Sequence, residues 1–278
     1  MADQPVSGKQ PHKVPLALWV GIVVVLVGIA TVAFMTRGND RDSNDEIAAQ
    51  EQQRMSDNSS GNNGTVKKVT KDPNEPAIVL KNIGVTSVNA STVYSRFAVQ
   101  DYAKNSMKGL YVFGDMLPGN RINPNFEFSS VKADTKVIAA MDGTITFIKD
   151  QPESKDSEVF LQTNENSIWI IGYDHLVDLK VKRGDTVKAG DVLGTPAVQN
   201  NGLYRFEFQI NKEVNGVTTY QCPVSLLDPA VKASVEADLT TTLNAWEAVL
   251  KQDLYNQSSL SPMGCTKPVL TSSEVDGN

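Results

Sequence analysis

Histidine is almost missing from this chain of 278 residues: only His12 and His175 are present. A long uncharged apolar run separates them, so an exported metal ion cannot draw on both, and zinc sites built on paired imidazoles are excluded. Cysteine is equally scarce. Cys222 and Cys265 alone exclude a site of four thiolates and leave two readings of the pair open: a disulfide in an oxidising compartment, or two buried thiols in a reducing one. A disulfide would close a loop of about 44 residues, which the chain-entropy model values at about 4 kcal/mol. A clustered basic surface is lacking as well. Lys and Arg total 26 against 32 Asp and Glu, a net charge of −6. The densest positive stretch, Lys180, Lys182, Arg183 and Lys188, alternates with Asp185 and Asp191 in the manner of a solvated face. No nucleic-acid partner is expected, because such a partner needs a run of cations to displace phosphate counterions.

What is present begins with one apolar run. Val14 to Met35 holds 22 consecutive residues without a charge, rich in Val, Leu, Ile and Ala; at ~1.5 Å per residue this reaches roughly 33 Å, enough for the bilayer hydrocarbon. Residues 14–36 are therefore expected to form a transmembrane anchor, with Trp19 at the interface, after a short cytoplasmic tail at 1–13. The competing reading is a signal peptide cleaved near Ala30 or Ala33, although such apolar regions usually run only ~7–15 residues. Lys9 and Lys13 before the span, and Arg37 and Arg41 after it, do not separate the two sides by count. The layout, with the whole folding sequence after the span, places the C-terminal part outside the cytoplasmic membrane. Residues 37–75, dominated by Asn, Asp, Ser, Gln and Gly, predict a flexible linker with too little apolar surface to offset the entropy of ordering it.

Beyond Pro76 apolar and polar residues alternate. Ala77–Leu80 and Leu110–Phe113 predict strands, Val93–Ala103 a short helix, and Leu117–Asn125, with two prolines and a glycine, a loop. These form an α/β extension at 76–122. The next block, 123–229, predicts short antiparallel strands at Lys136–Ala140, Thr144–Lys149, Glu158–Thr163, Ser167–Tyr173, Leu179–Val181, Asp191–Gly194 and Tyr204–Ile210, joined by turns such as Asp142-Gly143. From Ala230 to Leu254 the spacing changes to a helical one, with Trp246 positioned to anchor the helix on the sheet. Asn256–Asn278 is expected to be irregular and fixed through Cys265. The fold class is mainly β.

Three pieces in order carry a resemblance: Val137–Ile145 with its Asp142-Gly143 turn, the segment Tyr173-Asp174-His175-Leu176, and the Val181–Gly194 hairpin. Together they resemble the lysostaphin-like (LytM-type) zinc metallopeptidases of bacterial cell walls. That resemblance implies an antiparallel core of the duplicated hybrid motif type. It also implies a zinc ion held by a His and an Asp upstream of the sheet and by a second His in a His-x-His pair on a late strand. The late strand here is Gly202-Leu203-Tyr204-Arg205-Phe206-Glu207, and matching its Phe-Glu to the family's puts Leu203 and Arg205 where the two histidines belong. The upstream loop, Asn123 to Ser129, has neither His nor Asp, and Glu127 is its acid. His175 matches a histidine that assists catalysis in the family without being one of the essential metal pair.

The expected protein is a degenerate, single-pass member of that family, without catalytic residues, metal or other cofactor. Its vacated groove, lined by Tyr173, His175, Arg205 and Glu207, would bind peptidoglycan or an envelope protein; by analogy with inactive relatives that regulate amidases, it would regulate or scaffold a hydrolase. Two rival readings are an active peptidoglycan endopeptidase with an atypical metal site and a periplasmic adaptor of a transport or secretion complex. The adaptor reading expects a long helical hairpin interrupting the β-core, and the sequence between Val131 and Ile210 has none.

Overall fold

The computed structural model describes residues 71–89, 108–117 and 119–276, all within the compact unit Lys68–Asn278. The expected anchor at 14–36, the cytoplasmic tail, most of the linker and the expected helix at Val93–Ala103 lie outside the described residues. No described helix is long and apolar enough to cross a membrane.

The strands are β1 (Leu110–Tyr111), β2 (Met116–Leu117), β3 (Arg121–Ile122), β4 (Asn125–Val131), β5 (Val137–Ile138), β6 (Gly143–Gln151), β7 (Asp156–Gln162), β8 (Trp169–Val177), β9 (Thr186–Val187), β10 (Val192–Val198), β11 (Tyr204–Val214), β12 (Val217–Gln221) and β13 (Val269–Thr271); the helices are α1 (Pro229–Leu250) and α2 (Ser272–Asp276). Every strand pairing is antiparallel, and β11 is the hub: it pairs with β4, β8, β10 and β12. Its alternation explains that position. Phe206, Phe208 and Ile210 are fully buried on one face, while Arg205, Glu207 and Gln209 stand on the other. The β11–β12 hairpin closes through Asn215-Gly216, both residues at positive φ, as a two-residue turn requires.

The buried face of the sheet joins α1 in one continuous core that runs from Ile78 to Val275. Helix α1 starts where Asp228 accepts a hydrogen bond from the Ala230 amide at 2.9 Å and Pro229 holds the first turn. It ends at Leu250, four residues before the expected end at Leu254, and Lys251 after it takes the left-handed conformation. Leu239, Leu243, Trp246 and Leu250 form its buried stripe, and burial of each such side chain contributes about 1.5–3 kcal/mol. Trp246 lies against Gly109, where a Cβ would come within 1.8 Å of the indole. Cys222 and Cys265 form a disulfide, so the first reading of that pair holds.

Several sequence expectations are corrected. Ala77–Leu80 is not a strand and makes one isolated bridge, Leu80 with Leu227. Leu179–Val181 is not a strand either, although the Lys180 amide donates to the Leu193 carbonyl at 2.8 Å. The expected loop at Leu117–Asn125 contains the β2–β3 hairpin, and the supposed upstream loop Asn123–Ser129 is largely strand β4. The C-terminal tail is more ordered than expected, because β13 adds to β12 and α2 follows it. The end of the linker is docked: Glu75 accepts hydrogen bonds from Ser167 and the Ile168 amide, each at 2.7 Å.

Candidate functional site

The polar face of the sheet carries one unusual row. Register places Tyr111 opposite Glu127, Glu127 opposite Glu207, and Glu207 opposite Asp174, across β1, β4, β11 and β8. On the next strand the pairing of Ser157 with Leu176 and of Val159 with Tyr173 leaves Asp174 and His175 together facing Glu158. Two residues against one is a β-bulge, and His175 supplies it with φ of 60°. The bulge reverses the alternation of β8, so Asp174 and His175 both stay on the polar side while Leu176 returns to the core. Left-handed backbone at a non-glycine residue costs on the order of 1–2 kcal/mol, and such strain concentrates at functional positions. Lys149 stands opposite Glu158 and ends the row.

Four carboxylates in adjacent cross-strand positions repel one another, and two cations hold them. Arg205 reaches Glu127 Oε1 at 3.4 Å and Glu207 Oε1 at 3.7 Å, and its Nη2 lies against His175 Nε2. The other ring nitrogen, Nδ1, is 2.8 Å from Oδ2 of the buried Asp156, whose Oδ1 accepts from Ser154 at 2.6 Å. His175 Nε2 also lies 3.6 Å from Glu207 and 3.7 Å from Asp174. Asn125 Nδ2 donates to Glu207 Oε2, and Gln151 donates to Asp174 at 3.0 Å. Among the described residues, Asn125 Oδ1 and Arg205 Nε are buried polar atoms with no hydrogen-bond partner.

Protonation follows from this arrangement. Burial alone would lower the His175 pKa, but the hydrogen bond to Asp156 and the nearby carboxylates of Glu207 and Asp174 push it up to about 10. Burial would raise Glu207, yet His175 and Arg205 hold it down to about 2. Asp156 is likewise held low against its burial by His175 and Ser154. The rest of the row moves the other way. Burial and then Glu207 raise Glu127, burial raises Asp174, and burial together with Asp174 raises Glu158 to about 8.

Of the four residues expected to line the groove, His175, Arg205 and Glu207 meet here. Tyr173 does not. It is fully buried on the opposite face, where its hydroxyl accepts from the Ala140 amide at 2.7 Å and burial raises its pKa. Leu203, the other residue at an expected histidine position, packs against the core. The cluster is a sheet floor with side chains between 14% and 28% exposed for Glu127 and Arg205. Two hollows, of about 140 and 290 Å³, lie away from it, beside the 81–88 segment and beside Val79. Asn125, Asp156, Asp174 and Glu158 are members that motif spacing could not single out.

The family resemblance implies zinc, and these residues do not fit it. Among the described residues His175 is the one imidazole. Its Nε2 faces a guanidinium and its Nδ1 is committed to Asp156, so neither nitrogen is turned to an open ligand position. Ligand atoms of Asp156, Asp174 and His175 do lie within 4.8 Å of one another, but Arg205 stands beside that group.

The match to known proteins falls on this sheet. The model of peptidase family M23 matches residues 127–218, from β4 into β12. Residues 127–218 are a peptidase M23 domain. Among solved structures, lysostaphin from Staphylococcus simulans is similar at 18% identity over 49% of this chain and 50% of that one, with a TM-score of 0.33. A solution structure of lysostaphin gives 20% identity, 51% and 58% coverage and a TM-score of 0.36. The SpoIIQ–SpoIIIAH pore-forming complex gives 18%, 54% and 92%, and 0.35. The chain thus spans about half the length of the first lysostaphin structure. None of the curated proteins matches the chain.

Proposed function

We propose that this M23 domain works without catalysis, as a membrane-anchored module of the cell envelope whose polar sheet face binds peptidoglycan or an envelope protein. The observation that carries the reading is the guanidinium of Arg205 set against His175 Nε2 and two carboxylates. A hydrolytic zinc site needs deprotonated ligands and an open water position, and here a permanent cation occupies the centre of the available donors. What the face offers a partner is hydrogen bonding. Glu158, Asp174, Glu207 and Gln209 present acceptors and an amide suited to the N–H groups of a peptide. Anchoring by residues 14–36, with the folded unit outside the cytoplasmic membrane, belongs to the same proposal and rests on the uncharged run from Val14 to Met35.

Co-sedimentation of the full-length chain with purified peptidoglycan, beside recovery of envelope proteins by the tagged chain, tests this reading. Asp174→Lys, a charge reversal at a side chain 25% exposed, should abolish whichever interaction the wild type shows. A wild type that neither sediments nor recovers an envelope protein, or a variant that binds unchanged, would refute it. A rival reading, an active endopeptidase with an atypical metal, draws on the grouping of Asp156, Asp174 and His175; it requires cleavage of peptidoglycan that is lost in His175→Ala.

A further inference from the structure

We infer that the neighbouring carboxylates of Glu158 and Asp174 form a seat for a primary ammonium on an alkyl stem, the end group of a diamino acid residue. On the reading of the polar sheet face as a binding surface, on which this rests, that ammonium is the group the face takes. The register lays out the seat. Glu158 faces Asp174 and His175 across the bulge, with Lys149 opposite it on β6. Beside it runs the row Asn125, Gln209, Gly172, Phe160 and Phe147, each opposite the next. A Cβ on Gly172 would meet Glu158 Oε1 at 3.5 Å, and Gln209 Cβ and Phe160 Cε1 at 3.9 Å each. The missing side chain gives the Glu158 carboxylate room to lean over the sheet. The rings of Phe160 and Phe147, 5.8 Å apart, set an apolar flank against these acids, the surroundings that suit an ammonium and its methylenes.

The cations already present are engaged elsewhere in the row. Arg205 lies between Glu127 and Glu207, and His175 Nδ1 is bound to Asp156. Asp174 receives its hydrogen bonds, from Gln151 and from the His175 amide, on Oδ1, which leaves Oδ2 with His175 Nε2 at 3.7 Å. Glu158 has no hydrogen bond or ion pair to any described residue. A second sign comes from Asn125, 5% exposed. Its carboxamide points into the same acids: Nδ2 donates to Glu207, while the buried Oδ1 has no donor. Acceptors on Asn125, Asp174 and Glu158 thus lack donors, against one buried donor of this face without an acceptor, Arg205 Nε. An ammonium supplies three donors and the missing positive charge. Glu158 also weakens the fold when ionised, since burial and Asp174 raise its pKa to about 8, and a group kept against stability marks a functional position.

The test is an NMR titration of the full-length chain with pentylammonium chloride at about pH 8.5, where Glu158 is ionised and the probe is still charged. Two controls are n-pentanol, with the same stem and no charge, and tetramethylammonium, with the charge and no N–H. Wild type should bind pentylammonium and neither control, and more weakly as salt is added. Glu158→Gln should bind the probe about tenfold more weakly, although it is the more stable chain, and so should Asp174→Asn. A purely structural role for Glu158 predicts no loss in a better-folded variant. Two further arms separate the sources of the ammonium. If a wall peptide carries it, wild type pellets with native peptidoglycan and not with peptidoglycan whose amines are acetylated. If a protein lysine carries it, pentylammonium displaces the recovered envelope protein. Variants that bind the probe like wild type, or n-pentanol bound as tightly as the amine, would overturn the inference. So would a wild type that ignores the probe; if that chain still pellets with peptidoglycan or recovers an envelope protein, the binding role of the face stands without the ammonium seat.

Discussion

Glu158 gives the sharpest test of the carboxylate row. It faces Asp174 and His175 across the bulge, with Lys149 opposite on β6, and burial plus the charge of Asp174 raises it from 4.5 to about 8. A carboxyl that binds its proton more tightly in the folded state costs nothing at low pH, where folded and unfolded chains are both protonated. The cost grows as pH rises above 4.5, where the unfolded chain ionises first, and is complete by about pH 8. At about 1.4 kcal/mol for each tenfold in proton affinity, that displacement corresponds to about 5 kcal/mol for a fully buried group, which the partial contact of the side chain with water reduces to about 2–4 kcal/mol. Glu158→Gln keeps the shape and removes the charge. Denaturant unfolding of wild type and variant should give matching stabilities near pH 4, diverging in favour of the variant through neutrality and reaching a plateau of about 2–4 kcal/mol above pH 8. Equal stabilities at pH 9, or a variant weaker than wild type there, would show that Glu158 is ionised and well partnered, and the electrostatic account of the row would fail.

Other predictions concern the same cluster and its supports. His175, pushed up to about 10, contributes stability fully below about pH 6.5 and loses it as pH rises through about 10, while Glu207, held at about 2, contributes above 4.5 and loses it as pH falls through about 2. The His175 ring resonances should therefore stay constant from about pH 5.5 to 8.5 in an NMR titration; a midpoint near 6.5 would contradict the hydrogen bond to Asp156 and the ion pair with Glu207. Replacing Cys222 and Cys265 by serine should lower stability by about 4 kcal/mol in denaturant melts, and an unchanged midpoint would show that the link does not constrain the unfolded chain. Gly109→Ala places a Cβ within 1.8 Å of Trp246 Cζ2. It should cost about 1–3 kcal/mol and shift the tryptophan fluorescence, and a variant with wild-type stability would mean that the indole moves freely.

The sheet was legible where local pattern decides. Phe206, Phe208 and Ile210 alternate with Arg205, Glu207 and Gln209, so β11 could be drawn from sequence, and the i, i+4 steps through Val231, Val235, Leu239 and Leu243 after Asp228-Pro229 marked α1. Strand β4 was not legible, because Pro124 before it and Asn125 at its start look like loop chemistry while Phe126 and Phe128 are committed by their partners on β11. The tail gave no sign of β13, whose pairing with β12 joins segments far apart in the chain. At the site, His175, Arg205 and Glu207 followed from motif order. Tyr173 was assigned to the wrong face because simple alternation does not say which face of β8 is the core, and the bulge at His175 puts two consecutive residues on the same side. Asp156 and Glu158 were missed for the same reason: only the β7–β8 register brings Asp156 to an imidazole 19 residues away.

The central claim is that a guanidinium and a protonated imidazole fill the place where this fold would grip a catalytic metal. Elemental analysis of the full-length chain, after equilibration with zinc and removal of the free ion, addresses it directly. The account predicts no stoichiometric zinc in wild type and the same result in His175→Ala. One equivalent of zinc per wild-type chain, lost in His175→Ala, would contradict it.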